Sequence, residues 1–352
     1  MRILFDGFWW VEGPVSNKQV MREFILAWER EFPQDDLVVA VPRSTLRLVR
    51  EQLPARVRLV GTRLRPQGIC VIAELPFIAR HLAVDATVTH NFTPMFGRSA
   101  VFVHDFMFMT NPEWFTAPER AYYALMPLTL GRARWVMTSA QTEADRIAKL
   151  ARSHPRVTAV GLGPSRGLSA ATPTKPAGIE AEEFLLSVGR LNARKNLGTA
   201  IEAAIASGVA TPTTPLLIVG EPGGKAADLP GMAAAAVASG AVRFLGFIDD
   251  DELAWLYTNA RVFLFLSLDE GFGMPTLEAA QFGCPVVASD IAVFREILGS
   301  RARYVPPHDV QAVASAIRDA FEAGRVIPVD VEKLGYSWEL TARRIRAAIL
   351  QP

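Results

Sequence analysis

Cysteine is close to absent. Cys70 and Cys284 are the only two in 352 residues, too few for a disulfide framework, and far enough apart to be read as reduced thiols of a cytoplasmic protein. The five histidines are scattered, so no cluster has metal-ligand spacing and neither a metal nor a cofactor is expected. Half of the residues are hydrophobic, yet no apolar run approaches the length of about 18 residues that a membrane-spanning helix needs. The opening, Met1-Arg2-Ile3-Leu4-Phe5-Asp6, turns acidic too early for a signal peptide and reads as a strand. No internal repeat is visible. Neither half opens with an intact G-x-G-x-x-G turn, which disfavours a nicotinamide-dependent oxidoreductase.

An excess of charge of one sign is also missing: the net charge is +1. That balance hides an asymmetry. Residues 1–168 hold 21 Lys+Arg against 15 Asp+Glu, or +6, and the remainder 16 against 21, or −5. Between Arg43 and Arg65 seven arginines face Glu51 alone. That stretch reads either as a solvated helix and loop or as a peripheral contact with an anionic membrane surface or a phosphate-bearing acceptor. Nucleic acid is not expected as a partner, because no aromatic interleaving accompanies the arginines.

What is present is alternation. Apolar strand-like runs at 2–6, 37–41, 57–60, 86–89, 100–103, 135–138 and 157–160 are separated by helical periodicity, including 17–31, 117–130 and 141–151. A stretch rich in Gly, Pro, Ser, Thr and Ala, 161–181, reads as a linker. Alternation then resumes with strands at 184–188, 216–219, 242–245, 262–266, 285–288 and 302–305. An amphipathic helix over 338–350 closes the chain. Two successive sets of βα units predict an α/β protein of two Rossmann-like, doubly wound parallel-sheet domains, at 1–165 and 166–337.

The chain turns on Asp269-Glu270-Gly271-Phe272-Gly273-Met274-Pro275-Thr276-Leu277-Glu278, followed by Gly283. It reads as strand, glycine loop, helix. Pro275 suits a first helical turn and Gly283 the position past the last. Loop glycines let backbone approach a ligand, and a helix start favours an anion. Glu270 and Glu278 flank that site and suit hydroxyls better than phosphates. Phosphates and hydroxyls together describe a sugar nucleotide; the plainer reading is an ordinary βαβ unit with a solvated helix. Gly189-Arg190-Leu191-Asn192-Ala193-Arg194-Lys195-Asn196 ends another strand with cations suited to a diphosphate, or is a basic surface loop. His104, at the end of 101–105, is either catalytic or bound to local backbone.

These segments resemble family 4 retaining glycosyltransferases, whose E-x7-E signature carries the elements EGFG, P, E-A, G and P-V-V found here over 270–287. The resemblance implies a two-domain fold facing a cleft (GT-B) and transfer of a hexose or deoxyhexose from an NDP-sugar, without metal, to a glycan or lipid-linked acceptor. It implies that Arg190, Lys195 and the Gly271, Phe272, Gly273 loop meet the diphosphate. Glu278 would bind ribose hydroxyls, Glu270 the transferred sugar, and His104 would contact that sugar from the first domain. Front-face attack, with the diphosphate helping to deprotonate the acceptor, is implied in the same way. Phe247 ends a strand whose counterpart holds the base. Gly13 stands where relatives carry a Gly-Gly pair, and Asn17 with Trp9 and Trp10 would shape an acceptor pocket. Tyr336-Ser337-Trp338 with Thr341-Ala342 matches the family's closing motif, which implies that 338–352 packs back on the first domain. Asp249-Asp250-Asp251-Glu252 contains the D-x-D pattern of metal-dependent transferases, but precedes a helix, where acids act as caps. His90-Asn91-Phe92-Thr93-Pro94 and the compact first domain suggest a bacterial surface-polysaccharide enzyme using mannose or a deoxysugar. The alternatives are a nucleotide-sugar epimerase and a non-catalytic sugar-nucleotide-binding protein.

Overall fold

The computed structural model describes residues 1–151, 156–222 and 231–351. The chain forms two compact units, one of residues 1–110, 117–163 and 335–352, the other of 111–116 and 164–334. The first holds seven strands: β1 (Arg2–Asp6), β2 (Asp36–Pro42), β3 (Arg58–Thr62), β4 (Ala86–His90), β5 (Ser99–Phe102), β6 (Trp135–Thr138) and β7 (Val157–Ala159). All pair in parallel, in the order β3-β2-β1-β4-β5-β6-β7. The second holds β8 (Leu185–Val188), β9 (Leu216–Val219), β10 (Val242–Gly246), β11 (Val262–Phe265), β12 (Val286–Ser289) and β13 (Ala302–Val305). These are parallel too, in the order β10-β9-β8-β11-β12-β13.

The central strands are continuous apolar runs because both faces of a parallel sheet are covered by crossover helices. β2, β4, β9, β11 and β12 are buried along nearly their whole length. In the second unit Leu185, Ile201, Leu216, Ile218, Leu264, Val287 and Ile317 join one core. The closing helix Trp338–Leu350 lies along the helix Val15–Glu31 of the first unit. Arg343 donates to Glu31 at 2.5 Å, Arg346 to buried Asp35 at 2.9 Å, and the Trp338 and Phe24 rings meet at 6.0 Å.

Three local expectations change. Residues 161–181 are not a bare linker: Ser165 caps a short helix, Arg166–Ala170, and Asp251 accepts from the Thr172 N–H at 2.8 Å. The helix expected over 117–130 is interrupted, as Ala117–Tyr123 and Leu125–Leu130. The stretch 43–65 contains a helix, Leu46–Gln52, as its solvated helix-and-loop reading had it, whereas the helical stretch across 67–81 was not foreseen. Asp249 caps the helix Asp250–Asn259 by accepting from the Glu252 N–H at 2.9 Å, which accounts for part of the acidic run.

Candidate functional site

In a doubly wound sheet the loops after two neighbouring strands diverge where the strand order reverses, and ligands bind in the crevice that opens there. In the second unit that point lies between β8 and β11. β8 runs into Gly189–Asn196 and β11 into the loop before the helix Met274–Gln281. The two side chains expected from those loops meet. Lys195 Nζ donates to Glu270 Oε1 at 2.5 Å. Arg194 Nη1 donates to Glu270 Oε2 at 2.6 Å and to the Asp269 carbonyl at 3.2 Å. The lysine also sits 4.3 Å from the centroid of the Phe265 ring.

Burial opposes ionisation of both Glu270 and Lys195, and the charges around each decide the outcome. Glu270 lies between two cations, which outweigh its desolvation and pull its carboxyl down to about 2. Lys195 has one carboxylate, shared with Arg194. Burial, with Arg194 and Arg190 nearby, outweighs it and brings the ammonium down to about 8. Both remain charged at neutral pH. Arg190 itself is exposed on the same loop.

The sequence presented Glu270 as an open hydroxyl acceptor, whereas the structure shows it already bound by two cations. Both cations lie on the turn Ala193–Lys195, which ends at Asn196 in the left-handed region (φ 52°) before the helix Leu197–Ala206 begins. Arg194 had no assignment from sequence. Its position beside Lys195 was the available signal, but a contact across 76 residues leaves no local trace.

Gly273 takes φ 92° as the residue before the helix Met274–Gln281; a Cβ there would lie 2.6 Å from Phe294. Gly271 and Phe272 are buried, and the Phe272 ring belongs to the core, so only backbone is available for a ligand role at Phe272. Glu278, four residues into the helix, is buried and has no cation. Its Oε2 accepts from the Tyr257 hydroxyl at 3.3 Å and its Oε1 from the Ser165 N–H at 3.4 Å. Burial pushes its carboxyl up to about 7, so near neutral pH it can carry a proton and donate as well as accept. Phe247, just past β10, is exposed and away from the ion cluster's contacts.

The first unit has its own reversal, between β1 and β4. Asp6 ends β1 and His90 ends β4. Gln67 bridges them, donating to Asp6 Oδ2 at 2.7 Å and to the His90 carbonyl at 3.0 Å. His104 follows β5, and its ring stacks on His90 with centroids 5.7 Å apart. Burial lowers both imidazoles, His104 to about 4 and His90 well below its usual value, and raises Asp6 to about 6. Among the described residues His104 Nε2 and His90 Nδ1 have no hydrogen-bond partner. Asp6, Gln67 and His90 were not singled out as site residues in sequence; a carboxylate ending the first strand was the clue to Asp6. Gly13 is exposed with φ 120° beside the Trp9 ring, and Asn17 lies half-buried in the first turn of its helix. Trp10 is buried, donating to Gln52 at 2.9 Å. Cys70 and Cys284 are buried free thiols. Among the described residues no helix is long and apolar enough to cross a membrane.

Residues 172–331 match the family described as Glycosyl transferases group 1. The O-antigen chain mannosyltransferase RfbU of Salmonella typhimurium is 31% identical over 232 residues, 66% of this chain and 63% of that protein. The O-antigen chain mannosyltransferase B of Escherichia coli is 31% identical over 140 residues, 40% of this chain and 37% of that one. The chain thus spans less than two thirds of each of these relatives. Among solved structures, Anabaena HepE in complex with UDP-glucose superposes with a TM-score of 0.67 at 17% identity, covering 99% of both chains. The chain therefore has the two-domain GT-B fold, and its residues 172–331 are similar to the glycosyl transferases group 1 family.

Proposed function

We propose that this protein is a retaining, metal-independent hexosyltransferase of cell-surface polysaccharide synthesis. It moves a sugar from an NDP-sugar to a glycan or lipid-linked acceptor, in the cytoplasm and in peripheral contact with an anionic membrane. The observation that carries the reading is the Arg194–Glu270–Lys195 cluster at the reversal of the sheet that carries the family match. Two relatives are named mannosyltransferases and one fold neighbour was solved with UDP-glucose, so mannose and glucose donors are the first to try.

The chemistry follows from charge. Arg190, Lys195 and the start of the helix Met274–Gln281 place fixed positive charge where a leaving diphosphate gains negative charge, which lowers the barrier without costing reorganisation. Each Glu270 oxygen accepts a hydrogen bond from one cation and keeps a lone pair for a sugar hydroxyl. Glu278 faces hydroxyls of the ribose, and His104 offers a neutral imidazole to the transferred sugar.

A thermal-shift panel of GDP-, UDP- and dTDP-sugars identifies the donor; at 100 times its dissociation constant a true ligand adds about 2.7 kcal/mol. With that donor, labelled sugar should reach an acceptor in the presence of EDTA, with the anomeric configuration kept. Lys195→Ala and Arg190→Ala should each slow transfer at least about tenfold, the equivalent of ~1.4 kcal/mol. Transfer at the wild-type rate in both variants removes the assignment.

A further inference from the structure

The arginine surplus over 43–65 pointed to a membrane contact, but much of it is committed within the first unit. Arg50 donates to the Val57 and Leu53 carbonyls at 2.7 and 2.9 Å. Arg56 pairs with Glu29 at 2.7 Å. Arg65 donates to Ser44 at 3.1 Å and lies over the Phe8 ring. A neighbouring surface combines exposed arginine with exposed apolar groups. On the helical stretch 67–81, Ile69 is 40% and Phe77 61% exposed. The loop after β4 adds Met95 at 50% and Phe96 at 38%.

Backbone and ring contacts knit these segments together. The Met95 N–H donates to the Ile72 carbonyl at 3.0 Å, and the Phe77 and Phe96 rings meet edge-on at 5.2 Å. At the helix's other side the Glu74 carboxylate takes the N–H groups of Arg63 and Leu64, the latter at 2.7 Å. Residues 63–82 and 93–98 hold Arg63, Arg65, Arg80 and Arg98 against Glu74 alone, and that one acid is turned to backbone. Two aromatic rings held in contact in water, within a cationic field, are costly unless something covers them. A second copy of the same face would set arginine against arginine. An anionic partner with an apolar layer fits both halves of the pattern.

We propose that this face docks on a bilayer with anionic headgroups. Phe77, Phe96, Ile69 and Met95 enter the interfacial layer, and Arg63 and Arg80 meet phosphates. It gives a surface to the peripheral contact proposed above, and it is independent of the transfer chemistry, so the two can fail separately.

The test is co-sedimentation of the full chain with vesicles of phosphatidylcholine alone and of equimolar phosphatidylcholine and phosphatidylglycerol. The wild type should bind the anionic vesicles at least about tenfold better, and lose that preference in high salt. Phe77→Ser/Phe96→Ser should cut binding at least about tenfold, since each ring removes apolar area from water. Arg63→Gln/Arg80→Gln, which touches no core contact, should reduce only the anionic preference. Thermal melting and donor binding report that each variant is folded. Equal binding to both vesicles, or full binding by the phenylalanine variant, overturns the proposal. So does absence of vesicle binding together with a dimer, or an acidic protein complex, that the same variant abolishes.

Discussion

At the reversal of the second sheet Glu270 stays ionised between Arg194 and Lys195, whereas at that of the first Asp6, His90 and His104 are all pushed towards neutral forms. Topology and burial are alike at the two places. The difference lies in partners: the second cluster is supplied with ions of opposite sign, and the first with an amide, backbone groups and aromatic rings. A buried group holds its charge over the widest pH range where an opposite charge meets it at hydrogen-bond distance.

The largest way to break the contrast is to remove the carboxylate that Arg194 and Lys195 share. Glu270→Leu takes from buried Lys195 the carboxylate to which it donates, and should cost about 4 kcal/mol in urea unfolding. Glu270→Leu/Lys195→Met should recover part of that loss, because it removes a cation that the first change leaves buried. A double variant no more stable than the single would show that the ions do not interact.

Acid separates the two units more finely. His104 is lowered from 6.5 to about 4, so the unfolded chain binds the proton first. Its contribution to stability is present above pH 6.5 and is lost as pH falls towards 4, by about 3 kcal/mol at most. Glu270 is lowered from 4.5 to about 2; its contribution is present above pH 4.5 and is lost in the window below. His104→Phe should flatten only the upper window of the stability–pH curve, and Glu270→Gln only the lower. Asp6 has the opposite sign. Raised from 3.8 to about 6, it contributes below pH 3.8 and loses that contribution as pH rises through 6. Asp6→Asn should relieve about 2 kcal/mol of that loss at neutral pH, with the Gln67 contact partly kept. A steeper curve in the variant would refute the neutral-cluster description.

Sequence reading placed β6, β9, β13 and the closing helix at their observed bounds, because apolar runs and caps are local signals; the strand order, and with it both reversals, came only from the structure. It named Lys195 and Glu270 for a diphosphate and a sugar without anticipating that they bind each other, across 75 residues. Arg194, Tyr257, Gln67 and His90 escaped for the same reason. Their importance comes from a partner brought near by the fold, and nothing in the adjacent residues encodes that partner. The arginine run over 43–65 shows the reverse case: composition shows surplus charge and leaves its use open, and packing adds that Arg50 and Arg56 are engaged within the first unit.

Glu278 offers the smallest and sharpest adjustment of the comparison. It lies on the same segment as Glu270 and is as deeply buried, yet its carboxyl sits at about 7 instead of about 2. Two long hydrogen bonds replace two cations, and they offset only part of the desolvation. If that account is right, the Tyr257 hydroxyl is one of the few groups that favour the ionised form. Tyr257→Phe keeps the ring, which stacks on Phe282 at 5.9 Å, and removes only the donor. The loss of one such bond is worth about 1 kcal/mol, and the Glu278 carboxyl should move higher still. Because it is already above its unfolded value of 4.5, its stabilising contribution is complete below pH 4.5 and falls away as pH rises through 7. The variant should therefore match the wild type at pH 4 and be less stable by about 1 kcal/mol at pH 8. An equal loss at both pH values would mean that the tyrosine contributes by packing, and that burial alone sets the charge of Glu278.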